Sequence, residues 1–194
     1  GGAGEWGYFH DAHALIYDGP DVDHAGKHLL FAAGESGLFI LDITNASDIS
    51  LIAEAGYGTP HYGHQVWVSS SHDHAFFGDE LDESNEGGGA RTMVFDLTDL
   101  DSPFVFEEFE ASVLSTDHNQ YSHGEWLFQS NYTSGLRMLS DAWPNLPSLE
   151  ERGHFDPVDD GNLPGFQGAW SHVILEEEGL IAFTSIDQGL WVVS

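Results

Sequence analysis

Leu29-Leu30-Phe31-Ala32-Ala33-Gly34-Glu35-Ser36-Gly37-Leu38-Phe39-Ile40-Leu41-Asp42 decides how this chain is read. Two short apolar runs flank a tight Gly-Glu-Ser-Gly turn, the mark of a β-hairpin. Both runs are apolar nearly throughout instead of alternating, so the hairpin is expected to be covered on both faces. The plan returns in Ala75-Phe76-Phe77-Gly78-Asp79, which continues at Arg91-Thr92-Met93-Val94-Phe95-Asp96. It returns again in Trp126-Leu127-Phe128-Gln129-Ser130, continuing at Gly135-Leu136-Arg137-Met138-Leu139-Ser140, and in Ile181-Ala182-Phe183-Thr184-Ser185, continuing at Gly189-Leu190-Trp191-Val192-Val193. The equivalent residues Asp42, Asp96 and Ser140 are 54 and 44 residues apart.

Each hairpin has a further strand in front. The first three begin at a histidine, His10-Asp11-Ala12, His64-Gln65-Val66 and His118-Asn119-Gln120, and the fourth at Gly168-Ala169-Trp170-Ser171. The first three also have a strand behind, at 49–55, 104–109 and 149–155. Four strands at this period define a β-propeller blade, so the expected fold is an all-β propeller with blades near 10–58, 63–112, 117–156 and 168–194. No amphipathic helix is expected. The fourth unit shows three strands, and an open third strand exposes unpaired backbone groups. Either residues 3–9 supply the missing strand and close the ring, or the chain is part of a larger propeller; the second is the expectation.

Taken in order, His10-Asp11-Ala12, Tyr17-Asp18-Gly19-Pro20-Asp21-Val22-Asp23, Gly63-His64-Gln65, Gly78-Asp79-Glu80-Leu81-Asp82-Glu83, Arg91-Thr92, Asp117-His118-Asn119-Gln120-Tyr121, Asn131-Tyr132, Gly135-Leu136-Arg137 and Gly168-Ala169-Trp170 carry a resemblance over essentially the whole chain. The sequence resembles the choice-of-anchor B family, secreted or surface-attached bacterial and archaeal proteins built from LVIVD-type β-propeller repeats. That resemblance implies a propeller exported from the cytoplasm, at the cell surface, outside it or in a periplasm. It implies attachment by varied anchors, but no catalytic residues and no substrate.

Composition narrows the partners. The 194 residues carry 33 acidic and 4 basic side chains, a formal charge of −29, with 41% hydrophobic content. A chain of this length removes about 70% of its unfolded surface from water, which separates it from a disordered acidic tail. Nucleic acid, which is held through Lys and Arg on phosphates, is excluded as a partner, and so is an anionic membrane surface. No apolar run of membrane-spanning length occurs, so no membrane insertion is expected. Such a charge suits high salt, where a Debye length of about 3 Å at 1 M screens self-repulsion. There is no cysteine, hence no disulfide, thiolate ligand or thiol nucleophile.

The recurring strand starts are the first candidate site. In a propeller they converge on the central channel, so His10, His64 and His118, with Asp11, Gln65 and Asn119 beside them and Trp170 at the fourth start, are candidate ligand-binding residues at the channel mouth. The alternative is that each ring hydrogen-bonds backbone of the next blade and fixes its register. His10 with His13, and His61 with His64, are three apart and are expected on opposite faces of a strand. His72 and His74 fall in what reads as an exposed turn.

Calcium is the metal expected, because hard cations take six to eight oxygen ligands and carboxylates abound in the loops. Asp21-Val22-Asp23-His24-Ala25-Gly26, with Asp18 nearby, opens like a calcium loop but departs from the EF-hand pattern at Ala25 and Ala32. Asp79-Glu80-Leu81-Asp82-Glu83-Ser84-Asn85-Glu86 holds five carboxylates, and crowding of that kind calls for a cation or Arg91 as counter-charge. The metal candidates are therefore Asp18, Asp21, Asp23, Asp79, Glu80, Asp82 and Glu83. A solvated acidic loop of a salt-adapted protein is the alternative.

No nucleophile elbow, Ser-x-x-Lys or phosphate-cradling loop is present. The expected function is a non-enzymatic, exported, acidic binding or scaffold protein stabilised by calcium, with a protein or carbohydrate partner. The alternative is a calcium-dependent hydrolase of lactonase or phosphotriesterase type, with the metal in the central channel.

Overall fold

The computed structural model describes residues 6–141, 149–158 and 163–194. These residues form four antiparallel sheets, each a simple up-and-down meander. The first comprises β1 (Phe9–Ile16), β2 (His28–Gly34), β3 (Gly37–Asp42) and β4 (Ser50–Gly56). The second comprises β5 (Gly63–Val68), β6 (His74–Asp79), β7 (Arg91–Asp96) and β8 (Phe104–Glu110). The third holds β9 (Asn119–His123), β10 (Trp126–Ser130), β11 (Leu136–Ser140) and β12 (Glu150–Phe155), and the fourth holds β13 (Ala169–Leu175), β14 (Leu180–Ser185) and β15 (Gly189–Val193). Among the described residues, helix is confined to one turn of α1 (Asp82–Glu86), inside the acidic stretch read as a loop, and a 3-10 turn at Glu176–Glu178. No described helix is long and apolar enough to cross a membrane. Ala3, Gly4 and Glu5, part of the segment considered for ring closure, lie outside the described residues.

Two compact units divide the chain, residues 1–79 with 92–108, and residues 80–91 with 109–194. In the first unit the hairpin β2–β3 is buried on both faces, as its unbroken apolar runs require. Phe31, Ala33, Leu38 and Ile40 turn one way and pack with Val66, Val68, Phe77, Met93 and Phe95. Ala32, Phe39 and Leu41 turn the other way, against Trp6 and Phe9. β1, at the sheet's edge, alternates half-buried and exposed side chains. In the second unit Phe128 and Leu136 of the third sheet pack against Ala169 and Phe183 of the fourth.

The repeated turn residues have physical reasons. Gly37 (φ +154°) and Gly135 (φ +75°) both open the third strand of a sheet. There a Cβ would lie 2.2 Å from Ala55 O at Gly37 and 2.3 Å from Phe155 O at Gly135. Only a residue without Cβ lets the next strand pass that close. Asp42 and Asp96 each close a strand with an Asx turn, accepting the N–H of Thr44 at 2.9 Å and of Thr98 at 2.8 Å. The Thr44 hydrogen bonds, ahead of Lys27, hold the Asp42 carboxyl below the usual carboxylate range.

Candidate functional site

At the entrance of three sheets the ladder contains one residue too many. β1 pairs Phe9 with Gly34 and then Asp11 with Ala33, leaving His10 as the extra residue. β5 pairs Gly63 with Asp79 and then Gln65 with Gly78, leaving His64. β13 pairs Ala169 with Ser185 and then Ser171 with Thr184, leaving Trp170. A β-bulge re-aims side chains and takes backbone groups out of the ladder. Those freed groups are used: His10 Nδ1–H donates to His64 O at 2.9 Å, and His118 Nδ1–H donates to Trp170 O. Each donor ring also lies against the residue whose carbonyl it bonds, with ring centroids 4.2 Å apart in both pairs. The backbone-bonding role is therefore realised for His10 and His118.

The bulge also corrects the expected geometry of His10 and His13. One extra residue shifts the two-residue period, so side chains three apart reach the same neighbour. His10 meets His64 O while His13 Nδ1 accepts the Val68 N–H at 3.0 Å, and the His13 ring stacks on Trp67 at 3.8 Å. Burial, followed by the nearby His72, lowers the His13 pKa to about 4. His74, read as part of an exposed turn, is buried, while His72 (φ +57°) accepts the Asp18 N–H at 3.1 Å.

The remaining channel-mouth candidates divide between the units. In the first, His64 and Gln65 are buried, and Asp11 folds back to accept the Ala12 N–H at 2.7 Å. In the second, Asn119 Nδ2 donates to Trp170 O at 3.2 Å, and the Trp170 ring is 45% exposed. Around it stand residues that the repeats alone did not single out. Tyr132 packs edge-on to Trp170 at 5.9 Å and to Phe166 at 5.4 Å, and Phe166 is 49% exposed. Tyr132 adopts φ +37°, a left-handed conformation strained for a residue with a Cβ, held by paired backbone bonds to Ala169 at 3.0 and 2.9 Å. Its hydroxyl donates to Glu80 Oε1 at 2.6 Å, and Glu80 lies 3.8 Å from His118 Nε2. Burial, then the Glu80 bond, raises the Tyr132 pKa, so this hydroxyl stays a donor. The result is an open aromatic surface of Trp170 and Phe166 backed by Tyr132, His118 and a carboxylate.

The expected metal residues do not act as one set. Asp18 and Asp23 are exposed, whereas Asp21 comes together with His24 and Asp101. Asp21 spends Oδ1 on the Asp23 N–H at 3.1 Å and Oδ2 on the Leu100 N–H at 2.9 Å, and Lys27 Nζ already donates to His24 Nδ1 at 3.1 Å. Both oxygens of Asp21 are thus taken by backbone donors, one from its own loop and one from Leu100. Asp79 is 0% exposed and is also committed. Its Oδ2 accepts Tyr57 O–H and His61 N–H, and its Oδ1 accepts Tyr62 N–H, each at 2.7 Å.

Asp82 and Glu83 are different. On α1 and buried, they meet Asp117, a residue outside the expected set, with one oxygen of each within 4.8 Å of the others. Arg91 Nε donates to Asp82 Oδ2 at 2.7 Å, and the Arg91 N–H to Glu83 Oε1 at 3.1 Å, so Arg91 supplies the anticipated counter-charge in part. Burial, then Asp117 and Asp82, pushes the Glu83 carboxyl far above its usual range.

These features define an all-β protein of repeated antiparallel meanders with an aromatic, acid-backed surface and a separate buried carboxylate cluster. No protein-family model matches the chain, and no curated protein matches it. Among solved structures it is similar to the crystal structure of a protein from Lactobacillus plantarum, a structural genomics target, with a TM-score of 0.64 and 10% sequence identity. The match covers 93% of this chain and 50% of that one, so the chain spans about half the length of that protein. At that identity the likeness bears on the fold alone.

Proposed function

We propose that the chain is part of a β-propeller of the LVIVD-repeat, choice-of-anchor B type, exported and salt-adapted, and that it acts as a non-enzymatic binding or scaffold protein. Features shared between sheets support the blade reading: the entry bulge of the first, second and fourth, the glycine at the start of the third strand of the first and third, and the Asx turn that closes that strand in the first and second. The reading of function rests on one observation, the half-exposed Trp170 and Phe166 set against Tyr132, His118 and Glu80. A flat aromatic face with carboxylate and amide groups beside it suits a sugar ring, which stacks its C–H face and hydrogen-bonds at its rim. Against the hydrolase alternative, His10 and His118 spend Nδ1 on backbone carbonyls.

The test is a glycan array followed by calorimetry on the best hit, with Trp170→Ala as the variant. Binding that falls at least about tenfold in W170A, a loss of the order expected for one stacked aromatic anchor, is the expected result. Calcium-dependent turnover of a lactone or phosphotriester, with W170A binding unchanged, would replace this reading by the hydrolase.

A further inference from the structure

We propose that Asp82, Glu83 and Asp117 form a binding site for one hard divalent cation of the calcium class, distinct from the aromatic surface and independent of its function. The three carboxylates are 3%, 3% and 4% exposed, and each offers an oxygen within 4.8 Å of the other two. Two oxygens on one calcium ion, at about 2.4 Å each, are at most about 4.8 Å apart, so the three carboxylates lie close enough to share one ion; magnesium, which sheds its waters reluctantly, suits a cluster of carboxylates less well.

A second observation points to a ligand. Glu83 Oε2 is buried with no hydrogen-bond partner among the described residues, while its Oε1 is taken by the Arg91 N–H. A buried carboxylate oxygen without a donor is costly unless a cation or a proton meets it. Charge bookkeeping favours the cation. Three carboxylates against the one Arg91 guanidinium leave two negative charges, which a divalent ion neutralises and a single proton does not. Asp82 also lines a cleft of about 190 Å³, together with Glu86, Gly87, Gly89, Arg91 and Glu110. It leaves room for the water ligands that a three-carboxylate site needs to reach six or more oxygens.

The ion would tie α1 to Asp117, which directly precedes His118, and so fix the long excursion between β6 and β7. Repetition of blades does not supply this site. Asp82 and Glu83 lie in an insertion that the other three hairpins lack, and Asp117 comes from the approach to the next sheet.

The experiment uses the whole chain, stripped with chelator and dialysed into 1 M KCl so that diffuse binding to the acidic surface is screened. Calcium, and separately magnesium, is titrated by calorimetry into wild type, Glu83→Gln, Asp117→Asn and the exposed control Asp23→Asn. The expected result is one saturable calcium equivalent in wild type and D23N. Its affinity falls at least tenfold in E83Q and D117N, and magnesium binds more weakly. E83Q keeps the shape of a protonated Glu83, so it stays interpretable if D117N does not fold. Calcium binding identical in E83Q and wild type, or no saturable equivalent at all, overturns the site and leaves Glu83 neutralised by a proton. Either failure leaves the W170A experiment untouched.

Discussion

Replacing Asp79 by Asn alters one atom of a fully buried side chain that organises the 57–62 connection. The carboxylate accepts three donors at 2.7 Å: Tyr57 O–H and His61 N–H on Oδ2, and Tyr62 N–H on Oδ1. In the better rotamer the Asn carbonyl keeps the first two, and its NH₂ then faces the Tyr62 N–H, donor against donor. One charge-assisted bond is lost with a backbone N–H left unsatisfied, at about 1–3 kcal/mol, and the two remaining bonds fall to neutral strength, for a total near 3 kcal/mol. Tyr57→Phe leaves both backbone bonds in place and costs about 1–1.5 kcal/mol. The two changes share an acceptor, so the double variant should fall short of their sum. Urea unfolding followed by tryptophan fluorescence at fixed salt measures all three. A D79N loss within 0.5 kcal/mol of wild type, or one no larger than that of Y57F, would refute the account of Asp79 as a structural acceptor. Its calcium stoichiometry should equal that of wild type, because this carboxylate is already committed.

Two further outcomes are expected. His172, paired through Nδ1 with Ser130 Oγ at 2.8 Å, has its pKa lowered to about 3 by burial, so below pH 6.5 the unfolded chain binds the extra proton. Its contribution to stability is complete above about pH 7 and is lost as pH falls from 6.5 towards 3, by about 2 kcal/mol at pH 5. His172→Phe should flatten the fall in stability between pH 7 and pH 5 by that amount; an unchanged slope would contradict a neutral buried ring. With a formal charge of −29, the melting temperature should rise on going from 0.1 to 2 M KCl, by at least about 3 °C, the shift that 1 kcal/mol produces at this length. A flat response in calorimetry would remove the salt-adapted reading.

What the sequence by itself determined is local. Apolar runs such as 29–33 and 38–41 must be strands buried on both faces, Gly37 and Gly135 must open the strands that follow, and Asp42 and Asp96 must end theirs. Each of these demands is carried by the residue itself and those beside it (an unbroken apolar run, a missing Cβ, a side-chain acceptor two residues before an N–H), which leaves a readable pattern. The tertiary structure alone decided the sites. The bulges at His10, His64 and Trp170 exist only as a mismatch between two strands, so a period counted on one strand put His10 and His13 on opposite faces. The carboxylates of 79–86 looked alike in sequence. Folding gives Asp79 three donors of its own and brings Asp117 to Asp82 and Glu83, because a carboxylate's role is set by the donors and charges that meet it, and those come from residues distant along the chain.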